Sequence, residues 1–266
     1  MNIIAPKLSI IFCRLIRLGS FPECWRSATV TCISKGAPSH DWEHYQPISI
    51  TPILSKVYEK LVSHKLASFY ENYGLLPVAQ FAYRKGVGCI DALLTIYYHF
   101  QKSLDAGMES YIVQLDFSAA FDRVSHSGLL FNLKSIRVGG CVLSICREFL
   151  SDRRQRVVVD GAASEWIPVI SGVPQESVLG PLMFILYTTD MFELVVNRLF
   201  AYADDSTLLT VVRKPADRPA VAASLNRDLA KIQDWCNHWC MILNPNKTKL
   251  LNSSTYCNSN YCNSNY

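Results

Sequence analysis

The chain has 266 residues, half of them hydrophobic, which excludes a disordered chain and is enough for one large domain or two small subdomains. A formal net charge of +4 permits a polyanionic partner without requiring one. Ten cysteines lie mostly in apolar stretches and indicate reduced thiols inside a cell. The charged residues and the proline in residues 178–196 exclude a membrane span there.

The first half of the chain predicts an N-terminal helix, one strand and two further helices. Apolar residues recur at helical spacing within residues 1–18, and residues 28–34 form a strand-like run followed by the turn-rich stretch 36–47. Helices are predicted at about 53–70 and 90–104. The basic segment AYRKGVG between them is either a phosphate-approaching loop or an ordinary solvated one.

The second half contains two acidic strand ends. SYIVQLDF is an apolar run that ends near Asp116, and the short apolar runs 198–203 and 206–212 bracket Asp204 and Asp205. An Asp160-Gly161 turn predicts a hairpin with arms 155–159 and 166–170. Helices are predicted at 121–150, with a break at Gly139-Gly140, at 179–195 and at 216–241.

The three aspartates form a candidate metal site. Asp204 and Asp205 are adjacent, follow the apolar run LFAYA, and have no basic residue near them in sequence. Such carboxylates repel each other unless a cation lies between them. If the strand ending at Asp116 lies alongside, three carboxylates suit two hard ions, Mg²⁺ or Mn²⁺, and hence two-metal nucleotidyl transfer. A surface turn with two solvated aspartates is the alternative for this motif alone.

Seven blocks, in order, resemble the reverse transcriptases of non-long-terminal-repeat retrotransposons, the LINE-like and especially jockey-like elements. The resemblance covers about residues 3–251. The blocks are FPECWRSATVTCISKG, YQPISITPILSKVYEKL, QFAYRKGVG, VQLDFSAAFDRVSH, SGVPQESVLGPLMFILY, FAYADDSTLL and WCMILNPNKTK.

The resemblance implies an α+β fold, the right-hand polymerase palm in which helices back an antiparallel sheet, with a fingers subdomain and no thumb. Residues 1–19 are expected to be an amphipathic helix ending an upstream linker, 20–110 mainly fingers, and 111–251 mainly palm. Residues 252–266, which repeat YCNSN, are expected to be a disordered tail. The implied substrates are an RNA template, a DNA primer and deoxynucleoside triphosphates. A nuclear or cytoplasmic address and the oligomeric state stay open.

The resemblance also implies roles for individual residues. The metal ligands are Asp116, Asp204 and Asp205 with the Phe117 carbonyl, and Lys247 corresponds to a lysine that protonates departing pyrophosphate. The other implied contacts are with the incoming nucleotide at Lys35, Phe121 and Gln175, and with nucleic acid at Arg84, Lys85 and Tyr202.

Two residues depart from the family pattern. Glu176 stands where the family has glycine, and Gln46 stands where it usually has arginine before Pro-Ile-Ser. The first places a negative charge, and any Cβ, beside the incoming triphosphate, and the second removes a cation. Together with the missing thumb and endonuclease domain, they predict a truncated copy with little or no polymerase activity.

Four alternatives remain. The chain could be a non-catalytic RNA- or DNA-binding remnant of the polymerase fold, or a metal-dependent phosphodiesterase, although that class usually adds histidine ligands. Cys236, His238 and Cys240 could bind zinc, and the alternative is that they belong to a packed helix. His126 could be a general base, and the alternative is an exposed residue at a helix start.

Overall fold

The computed structural model describes residues 4–34, 36 and 44–253. The α-helices of these residues, α1 to α8, are Ile4–Leu18, Ile53–Asn72, Cys89–Asp105, His126–Ser135, Gly140–Leu150, Gly180–Tyr187, Met191–Leu194 and Arg218–His238. The β-strands in this described part of the chain, β1 to β9, are Ser27–Ser34, Tyr45–Ile50, Glu109–Leu115, Arg154–Val159, Ala162–Ala163, Ile167–Pro168, Arg198–Tyr202, Asp205–Val212 and Lys249–Ser253. The α+β class predicted from the sequence is confirmed.

The chain divides into two compact units, each made of two chain segments. Unit 1 comprises Met1–Leu76 and Ala119–Thr188, and unit 2 comprises Pro77–Ser118 and Thr189–Tyr266. These units are defined by contacts between residues, whereas the fingers and palm bounds stay predictions.

Unit 1 contains a sheet in the order β2-β1-β4-β5, with β6 also paired to β4. Strands β1 and β4 are parallel, and the other pairs are antiparallel. The Asp160-Gly161 turn is confirmed, since both residues have positive φ (50° and 82°), as a two-residue hairpin loop requires. The predicted second arm, 166–170, is wrong in detail. The chain opposite β4 forms two short strands, β5 and β6, whose registers with β4 differ by one residue, so a bulge divides the arm.

An aromatic cluster forms the core beneath α1. Phe12, the buried residue of α1, contacts Trp25 and Tyr58 with ring centroids 6.3 and 5.7 Å apart. Phe21 lies among them and meets Phe149 of α5 edge-to-face at 5.3 Å. The helix predicted at the N-terminus is therefore confirmed, and it closes one side of this core.

Buried Glu59 of α2 caps the start of α6. Its carboxylate accepts the backbone N–H groups of Val178 (2.8 Å) and Leu179 (3.2 Å) and the hydroxyl of Ser55 (2.7 Å). Glu59 is only 1% exposed. A carboxylate at a helix N-terminus satisfies N–H groups that have no partner inside the helix, so Glu59 fixes the loop before α6.

The single helix predicted at 179–195 is wrong, because α6 ends at Tyr187 and α7 begins at Met191. The Thr188 hydroxyl donates to the carbonyls of Ile185 and Phe184, a local bond that competes with helix continuation. Neither feature alters the apolar pattern, which is continuous in the sequence.

Unit 2 contains an antiparallel sheet in the order β7-β8-β3-β9. Helix α3 covers part of one face, where Ala92 and Ile96 pack with Phe200 and Leu209, and α8 packs against β8. Strand β9 was not predicted, and it extends to Ser253, two residues into the expected tail. Residues 254–266 lie outside the described part of the chain.

No helix among the described residues is long and apolar enough to cross a membrane.

Replacing Glu59 by alanine should lower the free energy of unfolding by about 3 kcal/mol, because the buried N–H of Leu179 and the part-buried N–H of Val178 lose their acceptor. Chemical denaturation measures this change. Lys60→Ala, an exposed change on the same helix, is the control and should alter stability by less than about 0.5 kcal/mol. Equal stability of the two variants would contradict the capping role.

Candidate functional site

Strand register brings Asp116 and Asp205 together at one end of the unit 2 sheet. Leu115, the last residue of β3, pairs with Ser206 of β8. The next position along this register places Asp116 opposite Asp205, the first residue of β8. Side chains opposite each other in an antiparallel pair lie on the same face, so the two carboxylates share one face of the sheet.

Asp204 lies in the turn between β7 and β8. The preceding residue, Ala203, has a φ of 57° and turns the chain, and Tyr202 pairs with Asp205 across the turn. Burial, and then the neighbouring carboxylates of Asp205 and Asp116, raise the pKa of the Asp204 carboxyl above its ordinary value. The three aspartates therefore interact electrostatically, as their sequence pattern predicts.

The chain after Asp116 is held by the segment before β9. The Asn244 N–H donates to the Asp116 carbonyl at 2.8 Å, and the Ser118 N–H donates to the Ile242 carbonyl at 2.8 Å. Phe117 forms an isolated bridge with Leu243 between these two bonds. The two hydrogen bonds of this bridge are made by the flanking residues Asp116 and Ser118, so the Phe117 carbonyl takes part in neither.

A cleft of about 450 Å³ lies beside the aspartates in unit 2. Lys247 and Lys249 contribute cationic side chains to its lining, which also includes Tyr202, a residue that is 37% exposed. Both Asp116 and Asp205 line the cleft, as do Gln114, Thr207 and the apolar residues of α3. The cleft thus combines two carboxylates, two lysines and an apolar wall.

The donor set suits a hard cation, but its geometry is not closed around one. Three carboxylates and a backbone carbonyl are all oxygen donors, which Mg²⁺ and Mn²⁺ prefer. Within residues 4–34, 36 and 44–253, no group of three or more His, Cys, Asp or Glu side chains is arranged as a metal site. The fit therefore rests on donor chemistry and on the convergence of the carboxylates.

Phe121 and Gln175 belong to one loop system in unit 1. The Val173 N–H donates to the Phe121 carbonyl at 2.9 Å, and the Gln175 amide donates to both oxygens of the Asp122 carboxylate at 3.1 and 3.2 Å. The Phe121 ring stacks on Phe184 of α6 with a centroid distance of 4.4 Å. The structure thus brings these two predicted nucleotide contacts onto linked loops.

Gly172 permits the close approach of these loops. Its φ is +84°, and a Cβ there would lie 2.7 Å from the Asp122 Cα. Its N–H donates to the Val124 carbonyl at 2.8 Å. Any side chain at this position would separate the two loops, so glycine is required here.

His126 supports the same loop. Its Nε2 lies 2.8 Å from the Gly172 carbonyl, so a neutral ring with its proton on Nε2 donates to that oxygen. Burial lowers the pKa of His126, with a smaller lowering from Arg153, against the opposing effect of the Gly172 bond. This nitrogen is used structurally, which argues against the general-base alternative.

Of the two residues that depart from the family pattern, Glu176 has a strained backbone conformation and Gln46 does not. Glu176 is exposed and has a φ of 64°, a left-handed conformation that favours glycine. Gln46 lies in β2 opposite Ile33, with its side chain exposed. Lys35, predicted to contact the triphosphate, lies outside the described residues.

The predicted nucleic-acid residues of the AYRKGVG segment differ from each other. Arg84 donates to the carbonyls of Pro77 (2.9 Å) and Gln80 (3.2 Å), so its guanidinium also stabilises its own loop. Lys85 is exposed. In the CNHWC stretch, Cys236 is fully buried on α8, which runs to His238, so the helical interpretation is confirmed.

Sequence patterns did not reveal three residues, two that bind these loops and one that lines the cleft. Glu59 and Gln80 are buried polar residues that each bind backbone groups more than 100 residues away. Lys249 lines the cleft through β9, a strand that was not predicted. A charged or amide residue on an otherwise apolar stretch is the only signal available for such positions.

Comparison with known proteins places the chain among reverse transcriptases. A family model described as "Reverse transcriptase (RNA-dependent DNA polymerase)" matches residues 35–258. The chain is 31% identical over 250 residues to a probable RNA-directed DNA polymerase from transposon BS of Drosophila melanogaster, covering 91% of this chain and 27% of that protein. It is also 31% identical to the RNA-directed DNA polymerase from mobile element jockey of the same species, covering 90% of this chain and 27% of the relative.

Solved structures share the fold at low identity. The apo telomerase from Candida tropicalis, truncated from the C-terminal domain, superposes with a TM-score of 0.61 at 13% identity, covering 96% of this chain and 56% of that one. A telomerase from Candida albicans in complex with a fragment of telomeric RNA gives a TM-score of 0.57 at 14% identity, covering 91% and 43%. The right-hand polymerase fold expected from the sequence is confirmed, and the chain spans about a quarter (27%) of the length of the curated relatives above.

Replacing Glu176 by glycine should raise the free energy of unfolding by about 1 kcal/mol, because glycine adopts a positive φ without strain. Glu176→Ala is the matched control, since it removes the charge but keeps the Cβ. Denaturant unfolding of both variants separates the two effects. Equal gains from alanine and glycine would show that charge, and not backbone strain, is responsible.

The stability that His126 contributes should be lost as the pH falls. Because its pKa is lowered in the folded chain, the unfolded chain binds the proton first as the pH drops below about 6.5. The unsubstituted chain should therefore lose stability relative to His126→Gln between pH 6.5 and the lower folded pKa. Urea unfolding at several pH values measures this difference, and parallel pH profiles would contradict it.

Proposed function

The chain belongs to the reverse transcriptase (RNA-dependent DNA polymerase) family, and from that premise we propose that it is the nucleotidyl-transfer domain of a non-long-terminal-repeat retrotransposon polymerase. Its substrates are an RNA template, a DNA primer and deoxynucleoside triphosphates. The observation that carries this proposal is the convergence of Asp116, Asp204 and Asp205 at one end of an antiparallel sheet.

Asp116, Asp204 and Asp205, with the Phe117 carbonyl, are proposed to hold two Mg²⁺ or Mn²⁺ ions. Bound there, the ions would activate the attacking 3′-hydroxyl and stabilise the leaving pyrophosphate. Support comes from the raised pKa of Asp204, which burial and then the nearby carboxylates of Asp205 and Asp116 cause, because a bound cation would stabilise the ionised form of this buried carboxyl. The proposed role of the Phe117 carbonyl is supported by the bridge to Leu243, whose hydrogen bonds use Asp116 and Ser118 and not this carbonyl.

Lys247 is proposed as the general acid for the departing pyrophosphate. It lines the same cleft as Asp116 and Asp205, so its ammonium belongs to the same surface as the proposed ion ligands. An ammonium donates a proton and also offsets the negative charge that develops on the leaving group. Tyr202, in the same lining, is proposed to face the primer and template.

Phe121 and Gln175 are proposed to contact the incoming nucleotide, with Phe121 beneath the sugar and Lys35 on the triphosphate. A ring beneath the sugar would exclude a ribose 2′-hydroxyl and select deoxynucleotides. Support comes from the stacking of Phe121 on Phe184 and from the Gln175–Asp122 bonds, which give both side chains fixed positions. Lys85 is the more accessible of the two loop residues proposed to contact template phosphates, because Arg84 also binds its own loop.

This copy is proposed to be weakly active at best. Glu176 brings negative charge and a strained backbone to the loop that carries Gln175, and Gln46 lacks the cation of the family pattern. Both changes act on triphosphate affinity, whereas the aspartates follow the family pattern. The defect is therefore expected in nucleotide binding and not in the metal ligands.

Primer extension on an RNA template with Mg²⁺ tests both parts of the proposal. The unsubstituted chain should extend poorly, Glu176→Gly should raise the rate about tenfold or more, corresponding to at least about 1.4 kcal/mol of binding, and Asp204→Asn should abolish the gain. Glu176→Ala should recover only the electrostatic part.

Each outcome assigns a different cause. Robust extension by the unsubstituted chain would overturn the predicted weakness, and extension that survives Asp204→Asn would overturn the metal ligands. Salt-dependent RNA binding without incorporation in any variant would instead identify a non-catalytic remnant of the polymerase fold.

A further inference from the structure

Gln80 is a buried amide whose hydrogen bonds end on the acidic turn. It is 1% exposed, and it precedes the AYRKGVG segment in unit 2. Its Oε1 accepts the N–H of Ala203 at 3.2 Å and that of Ala82 at 3.1 Å, and its Nε2 lies 3.5 Å from the Ala203 carbonyl. We propose that Gln80 is a positioning residue that fixes the turn carrying Asp204 and Asp205 in its ion-binding conformation.

The residue that Gln80 holds is the one that turns the chain. Ala203 has a φ of 57°, which is unfavourable for any residue with a Cβ, and it immediately precedes Asp204. Both the N–H and the carbonyl of Ala203 face the Gln80 amide. Loss of these bonds would leave two buried backbone groups unpartnered, so the turn would relax and carry Asp204 with it.

Gln80 is itself held against β7. The Phe81 N–H donates to the Ala201 carbonyl, and the Ala201 N–H donates to the Ala79 carbonyl, each at 2.9 Å. Gln80 thereby forms a parallel bridge with Ala201, two residues before the residue that its side chain binds. Backbone and side chain together fix the edge of the sheet next to the acidic pair.

This inference rests on the proposed function, since it assigns Gln80 to the conformation of the ion ligands. A merely structural amide would affect stability alone, whereas a positioning amide also changes ion affinity. The substitution Gln80→Met keeps the length of the side chain and removes both the acceptor and the donor. Gln80→Glu keeps an acceptor for the Ala203 and Ala82 N–H groups and is the conservative variant.

The test uses the full chain with Mn²⁺ alone as the probe. Free Mn²⁺ is measured by electron paramagnetic resonance, and exchange of the Ala203 amide is measured by hydrogen exchange. Gln80→Met should raise the Kd for Mn²⁺ about tenfold or more and speed Ala203 exchange, because supporting residues of metal ligands have effects of this size. Gln80→Glu should retain most of the amide protection.

Two controls separate this effect from general damage. Gln101→Met makes the same substitution at a glutamine whose side chain bonds Asp105 on α3, and should change neither measurement. Ile232→Val truncates a buried residue of α8, lowers stability, and should leave the Mn²⁺ Kd unchanged.

Unchanged Mn²⁺ affinity in Gln80→Met, beside binding by the unsubstituted chain, would overturn the role of Gln80 alone, as would unchanged exchange of the Ala203 amide. An absence of Mn²⁺ binding in the unsubstituted chain would overturn the proposed metal site and, with it, the role assigned to Gln80. Binding by the unsubstituted chain that Asp204→Asn does not weaken would overturn the ligand assignment instead.

Discussion

The pairing of β3 with β8 is the constraint on which the candidate site depends. Its register places Asp116 opposite Asp205, and a slip of one residue would turn every side chain of one strand to the other face. Burial opposes that slip, because Val113, Leu115 and Leu208 are each less than 5% exposed and share one face of the sheet, to which a slip would bring polar residues such as Gln114 or Thr207. Burial of this face of the sheet is thus the reason that the carboxylates meet.

Two loops with proposed roles in the reaction, the Ala203 turn and the loop of Glu176, each contain a left-handed residue. In each case a buried polar side chain from elsewhere in the same unit binds the loop. Ala203 is held by Gln80, and the loop containing Glu176 is tied at Val178 and Leu179 by Glu59. A positive φ costs about 1 kcal/mol in a residue with a Cβ, and such residues persist where neighbouring bonds determine the backbone. The same arrangement in both units indicates that loop conformation is determined by these buried side chains.

Much of the fold followed from periodicity, because amphipathic helices such as α1 and strands such as β3 carry their pattern in consecutive residues. The positions of the aspartates at strand ends could be predicted because a carboxylate at the end of an apolar run is a local signal. Strand β9 was missed because Lys249–Ser253 is short and its pairing with β3 is long-range. The break between α6 and α7, and the partners of Glu59 and Gln80, depend on contacts that only the folded chain creates. The roles of Phe121, Gln175 and Lys247 rest on the resemblance and stay predictions.

The electrostatics of the two loops have opposite consequences for a nucleotide. Burial, and then the neighbouring carboxylates of Asp205 and Asp116, raise the pKa of Asp204, so a cation bound at the proposed ion site would stabilise its ionised carboxylate. Glu176 adds negative charge to a loop whose proposed ligand, a triphosphate, is itself an anion, and it also occupies a backbone conformation suited to glycine. Nothing in the loop requires this glutamate, because its side chain is exposed and φ alone favours another residue. A change that costs stability and repels the proposed ligand is therefore easier to explain as a loss at the proposed nucleotide loop than as a new function, while the residues proposed to bind the ions keep the carboxylates that this chemistry needs.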